Sequence, residues 1–153
     1  MTDVQNIREI SEFKDKSLVI VDDDNPLRQR LARAMEKKGF IVAQAESVKT
    51  GIEIVNSKKP AFAVVDLRLG DGNGLEVVKE IQKSNPSSRI VMLTGYGNIP
   101  TAIAAIKQGA IDYLAKPADE DDVVKALLAD PNRKPEPPDN PMSADRVKWE
   151  HIH

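Results

Sequence analysis

Apolar residues recur along this chain in short runs joined by helical periodicities, a rhythm that starts at Ser17 and stops near Asp130. Runs of strand length begin near 18, 40, 61, 90 and 111, as in Leu18-Val19-Ile20-Val21, Ala61-Phe62-Ala63-Val64-Val65 and Ile90-Val91-Met92-Leu93. Between them, apolar positions return every three or four residues, the spacing of one helix face. Asn25-Pro26 opens the first helix with a capping residue and a proline in the first turn; Leu27, Leu31 and Ala34/Met35 line it and Gly39 stops it. Ser47 caps a second helix carrying Val48, Ile52 and Val55, which ends before Pro60. Leu75, Val78 and Ile81 mark a third, closed by Asn85-Pro86, and Ile99, Ile103 and Ile106 a fourth, closed by Gly109. In the fifth, Asp119 to Asp122 place negative charge at the positive end of the helix dipole, and Val123, Val124, Leu127 and Leu128 give an apolar side.

Five strand-helix units with short joints predict an α/β fold, a five-stranded parallel sheet covered on both faces by five helices. Near-continuous apolar strands fit burial from both sides. The flavodoxin-like order 2-1-3-4-5 is expected, which makes strands 1 and 3 neighbours at a topological switch. Ligands meet such sheets at the carboxyl ends of the strands, and four strands end there on reactive side chains. Strand 1 runs into Asp22-Asp23-Asp24, strand 3 into Asp66 and the glycine-rich Leu67 to Gly74, strand 4 into Thr94, and strand 5 into Lys116-Pro117.

Outside this frame the character changes. Residues 1–16 are polar, with Ile7, Ile10 and Phe13 at helical spacing, and read as an N-terminal extension, either a short amphipathic turn or an unstructured arm. Residues 17–130 form the domain. Half of the ten prolines fall between Pro131 and Pro141, so 131–142 reads as a semi-rigid linker. Residues 143–153, with Ser143 as a cap and Val147, Trp149 and Ile152, are too few for a domain and are expected to begin another one.

Composition narrows the chemistry. The chain has 153 residues and a net charge of −2, which argues against nucleic-acid binding by charge alone. There are no cysteines, and both histidines, His151 and His153, sit at the end of the sequence, so disulfides, thiolates and a histidine-based core site are excluded. No apolar run nears the ~20 residues of a membrane span, and the acidic N-terminal stretch is unlike a signal peptide. A soluble, cytoplasmic protein is expected.

Carboxylates gathered in one crevice repel and are costly to bury unpaired. A divalent cation relieves this, and with oxygen ligands only, Mg²⁺ is the fitting ion. Asp66 at the centre could attack phosphorus and become an aspartyl phosphate. Lys116 would supply a second cation, and Thr94 a hydroxyl for a phosphoryl oxygen.

In this combination the sequence resembles the receiver domain of two-component response regulators over about residues 17–130. The matching positions are Asp22-Asp23, Asp66, Thr94 and Lys116-Pro117, with Tyr113 at the place of an aromatic switch. Asp-Leu-Arg-Leu-Gly-Asp-Gly-Asn-Gly, Leu-Thr-Gly-Tyr-Gly-Asn-Ile and the proline linker followed by Arg-Val-Lys-Trp-Glu-His-Ile resemble the RegA/PrrA/ActR type of redox-responsive regulators. The resemblance implies a CheY-like fold and Mg²⁺ held by Asp23, Asp66 and the backbone carbonyl of Arg68, with Asp22 acting mainly through water. It implies Asp66 as phosphoacceptor from a sensor histidine kinase, assisted by Lys116 and Thr94, with Thr94 and Tyr113 as the switch. It further implies a homodimer through the face of helix 4, strand 5 and helix 5, and DNA binding only through a helix-turn-helix domain beginning at 143–153. No enzyme activity is implied beyond self-phosphorylation and self-dephosphorylation, and no membrane contact. Gly70 replaces a common proline and Ala118 a common phenylalanine.

Two other functions compete. A haloacid dehalogenase-type phosphatase would use Asp22 as nucleophile and Asp24 as acid, with Thr94 and Lys116 as later motifs, yet an acidic pair after a later strand and a cap insertion are missing. A receiver fold that binds partners without phosphorylation would have no use for so many repelling carboxylates. Asp24 alone reads as a helix cap, and Asp71 and Asn73 as turn residues. Gly95-Tyr96-Gly97 reads as a mobile joint. Arg68 and Tyr96 lie two residues beyond Asp66 and Thr94, where side chains of the resembled family flank the path of attacking water, and by that resemblance their bulk implies slow self-hydrolysis.

Overall fold

The computed structural model describes residues 10–95 and 99–129. Its strands and helices follow the chain as β1 (Ser17–Val21), α1 (Asn25–Lys38), β2 (Ile41–Ala45), α2 (Val48–Lys58), β3 (Phe62–Asp66), a ribbon of β4 (Arg68–Leu69) and β5 (Gly72–Asn73), α3 (Gly74–Ser84), β6 (Arg89–Thr94), α4 (Ile99–Lys107), β7 (Asp112–Ala115) and α5 (Glu120–Leu128). The main sheet is parallel with order β2-β1-β3-β6-β7, the expected 2-1-3-4-5 once the ribbon is set aside. The antiparallel ribbon was not anticipated. Its strands are two residues long, too short to show a period.

Successive side chains on a strand point to opposite faces. Val19, Val21, Ala63, Val65, Ile90 and Met92 therefore pack with Val55 of α2 and Val77, Val78 and Ile81 of α3. Leu18, Ile20, Phe62, Val64, Val91 and Leu93 pack with Leu31 and Met35 of α1 and Val123 and Leu127 of α5. The sheet is thus buried on both faces, as its uninterrupted apolar strands require. Phe62 joins the second cluster to the N-terminal extension: the rings of Phe13 and Phe40 stand edge-on to it at 5.1 and 5.0 Å. Ile10 also packs there, as the first residue of a single turn of 3-10 helix, Ile10–Glu12. Ile7, the linker at 131–142 and the stretch 143–153 lie outside the described residues.

The helix ends are closed as the sequence indicates, with two additions and one correction: Asn25 is not the cap of α1 but its first helical residue, because the Asp24 side chain takes the open N–H. Asp24 caps α1 through Leu27 N–H, and Gly39, at φ +112°, ends it in the left-handed conformation that favours glycine. Ser47 and Thr50 form a capping box on α2. Asn73, expected to be a turn residue, is the cap of α3 and shares a box with Glu76. Asp71 reaches across to accept from Val48 N at 2.8 Å and Lys49 N at 3.2 Å, the N–H groups of α2 that Ser47 leaves open. These bonds hold Asp71 below the usual carboxylate range, the one to Val48 contributing most.

Candidate functional site

Strand register assembles the site. Val21 pairs with Val65 between β1 and β3, so the next residues, Asp22 and Asp66, leave the sheet side by side. Asp66 pairs with Leu93 on β6, and Thr94 with Ala115 on β7, which brings Thr94 and Lys116 to the same edge. Four side chains spread over 95 positions of sequence thus share one end of the sheet.

Within this edge Asp22 and Asp66 are buried and Asp23 is exposed. One carboxylate oxygen from each lies within 4.8 Å of those from the other two. Lys116 Nζ donates to Asp66 Oδ2 at 2.9 Å and stands 3.4 Å from Asp22 Oδ2. Asp66 Oδ1 accepts from Arg68 N at 3.3 Å, and Asp22 Oδ1 from Asp24 N at 2.9 Å. Among the described residues no group hydrogen-bonds the buried Asp22 Oδ2, which has only the longer ion pair with Lys116. The Lys116-Pro117 peptide is cis.

Burial pushes the Asp22 carboxyl up to about 6, and the charge of Asp66 adds to the rise; the Asp24 N–H and the charge of Lys116 oppose it. For Lys116, burial works against the charged form. The hydrogen bond and charge of Asp66, together with Asp22, outweigh it and hold the ammonium above its ordinary value. The crevice is therefore short of positive charge even with Lys116 in place. A hard divalent cation fits it on three counts: oxygen donors only, converging carboxylates, and an orphaned oxygen on Asp22. The loop after Asp66 passes beside Asp23, since a Cβ on Gly70 would come within 3.7 Å of Asp23 Oδ2.

The remaining sequence candidates fall around this centre. Thr94 is buried, its Oγ1 donating to Gly95 O at 3.1 Å. Tyr113 is also buried, in the cluster that holds Ala105 and Ala110. Arg68 is exposed at the start of the ribbon, its N–H turned to Asp66. Tyr96 lies outside the described residues. Asp24 directs its carboxylate to the start of α1 at 3.1 Å from Leu27 N, so the acid of the phosphatase alternative is already engaged as a cap. An apolar hollow at the opposite end of the sheet, lined by Ser17, Ile41, Ile54, Lys58 and Pro60, contains none of these groups.

The sequence matches the response regulator receiver domain family over residues 18–128. The chain belongs to that family. This receiver domain is 61% identical over 138 residues to the photosynthetic apparatus regulatory protein RegA of Rhodobacter capsulatus, a match spanning 90% of this chain and 75% of the relative. It is 59% identical over 138 residues to the acid tolerance regulatory protein ActR of Sinorhizobium medicae, spanning 90% and 71% of the two chains. Among solved structures, it resembles a response regulator protein from Burkholderia pseudomallei with a phosphorylated aspartic acid, calcium ion and citrate. That match has a TM-score of 0.71 and 32% identity over 90% of this chain and 74% of the other. The phosphatase alternative finds no support among these matches, and the engaged Asp24 gives the physical reason.

Sequence reasoning missed Arg28. It lies in α1 with other charged residues, Arg30, Arg33, Lys37 and Lys38, and reads as one more solvated cation. The structure buries it, and its guanidinium holds the backbone of Asp22. One local signal could have found it: Arg28 stands three, four and seven residues before Leu31, Ala32 and Met35, on the buried stripe of α1, and the other cations of the helix do not.

Proposed function

We propose that Asp66 accepts a phosphoryl group from the phosphohistidine of a sensor histidine kinase, in a reaction that requires Mg²⁺. The carboxylates of Asp22, Asp23 and Asp66 and the carbonyl of Arg68 would hold the ion, which when bound neutralises charge on the phosphoryl oxygens. An Asp66 oxygen forms the new O–P bond as the P–N bond to the donor imidazole breaks. The electron pair of that bond goes to the leaving nitrogen, and histidine departs neutral with its proton on the other ring nitrogen. Lys116, 2.9 Å from Asp66 Oδ2, orients the nucleophile and meets the incoming charge. The observation that carries this reading is the strand register, which sets two acidic residues, a threonine and a lysine at one sheet edge. The relative described with a phosphorylated aspartic acid and a calcium ion supports it.

Once Asp66 carries phosphate, its oxygens would draw in the Thr94 hydroxyl, and the loop after β6 would follow. Tyr113, which is buried among the described residues, would act as the aromatic switch, its inward position favoured in the phosphorylated state. The α4-β7-α5 face would then favour a homodimer, positioning a DNA-binding domain attached through the linker at 131–142 and beginning at 143–153. The only catalysis is self-phosphorylation and self-dephosphorylation, the latter slowed by Arg68 and Tyr96, and the setting is cytoplasmic.

Labelling with a small phosphodonor such as acetyl phosphate tests the reading. Label should require Mg²⁺ and vanish in Asp66→Asn. Label persisting in Asp66→Asn would overturn it. Sizing with Mg²⁺ and beryllofluoride tests dimerisation: an unchanged elution volume on adding the mimic refutes that part alone.

A further inference from the structure

Arg28 is a buried cation that pairs with no carboxylate among the described residues. Only 9% of it is exposed, and none of the ion pairs among the described residues includes it. Its hydrogen bonds go to neutral oxygens: Nη1 donates to Asp22 O at 2.9 Å and to Asn25 Oδ1 at 2.6 Å, and Nε to Gln44 Oε1 at 3.1 Å. Burying a charge without a counter-ion is unfavourable, and a side chain of this length on α1 could reach solvent. Its inward placement therefore needs a reason.

The Asp22 carbonyl supplies one. A peptide unit is planar, so the bond that fixes Asp22 C=O also fixes the N–H of Asp23 and the direction in which the chain enters Asp23. Asp22 is held at three more points by its neighbours: its N–H donates to Ala45 O at 3.0 Å, its Oδ1 accepts from Asp24 N, and its Oδ2 faces Lys116. Asp23 has no such support. It is exposed, and among the described residues nothing donates to its carboxylate. Its aim into the crevice depends on the peptide before it. Arg28 braces that peptide from α1, and Gln44 on β2 braces Arg28 in turn.

We infer that Arg28 is a positioning residue for the cation site, holding the Asp22-Asp23 peptide so that the exposed Asp23 carboxylate meets the ion. This rests on the Mg²⁺ reading above. It predicts a sign that simple electrostatics would reverse. Removing a positive charge beside an acidic crevice should, by Coulomb's law, tighten a divalent cation. Removing the brace should loosen it, by about tenfold or more, as is usual when the partner that orients a ligand is lost.

The test is calorimetric titration of Mg²⁺ into the full chain for wild type, Arg28→Met, Arg28→Lys and Gln44→Met, with urea unfolding of each in EDTA. Arg28→Met should weaken Mg²⁺ about tenfold or more, Arg28→Lys should recover part of the loss because an ammonium can reach the carbonyl, and Gln44→Met should weaken it less than Arg28→Met. Tighter or unchanged Mg²⁺ binding in a folded Arg28→Met overturns the inference while the site reading stands. Should Arg28→Met fail to fold, Arg28→Lys and Gln44→Met decide, and wild-type affinity in both overturns it. A wild type that binds no Mg²⁺ removes the site reading and this inference together.

Discussion

Asp22 is ionised at neutral pH against the preference of its surroundings, and Asp22→Asn measures by how much. The carboxyl rises from 3.8 to about 6, burial being the largest cause. At ~1.4 kcal/mol per pH unit, the charged form costs the fold about 3 kcal/mol. Because the folded-state value lies above the unfolded one, this cost is absent below pH 3.8 and grows as pH rises. It is complete above about 6. Asparagine removes the charge and keeps an oxygen for the Asp24 N–H, but it gives up the ion pair with Lys116 and buries an extra donor. In the metal-free chain at pH 7.5, Asp22→Asn should therefore be more stable than wild type by about 1–3 kcal/mol. At pH 5 wild-type Asp22 is largely protonated, and the advantage should fall by about half. Urea unfolding in EDTA at both pH values, followed by far-ultraviolet circular dichroism, gives the two differences. Mg²⁺ should then reverse the order, since wild type gains about 4.1 kcal/mol at a thousandfold excess over Kd and the variant gains little. If Asp22→Asn is no more stable than wild type at pH 7.5, or its advantage is the same at pH 5, burial does not set the cost of this charge.

Three further outcomes can be checked. In Gly74→Ala the new Cβ would overlap the Asp66 carbonyl oxygen and lie 3.0 Å from Val65 Cγ1, so stability should drop by about 3 kcal/mol in urea titration. Asp71→Asn exchanges a charged acceptor at the start of α2 for a neutral one and should lower the thermal midpoint at pH 6; because folding depresses the Asp71 carboxyl below 3.8, the difference should disappear as pH falls through that depressed value. Phe13→Ala removes an edge-on ring from Phe62 and should cost about 2 kcal/mol by urea unfolding, with no change in Mg²⁺ affinity.

Much of this fold is legible in the sequence because its signals are local. Apolar runs bounded by Gly39, Pro60, Asn85-Pro86 and Gly109 mark the strands and helices within a residue or two of their observed ends. Asp22, Asp66, Thr94 and Lys116 are legible for the same reason, as polar residues following apolar strands. The rest depends on distant partners. Asp71 looks like a turn former until α2, whose N–H groups it takes, stands beside it. Arg28 shares the helical spacing of Leu31 and Met35, but its partners, Gln44 and the Asp22 carbonyl, come together only in the fold. Phe13 looks like part of a polar arm until Phe62 arrives against its ring.

The clearest division lies in three identical residues. The sequence alone determines that Asp22, Asp23 and Asp24 follow a buried strand, and so that acid stands at the ligand end of the sheet. The sequence also marks Asp24 as a helix cap, a local contact; tertiary structure decides that Asp22 is buried against Lys116 and that Asp23 is left exposed over the crevice. No property of an aspartate distinguishes these fates. Burial and charge are sums over neighbours, and here those neighbours come from β2, β3, α1 and the far end of β7.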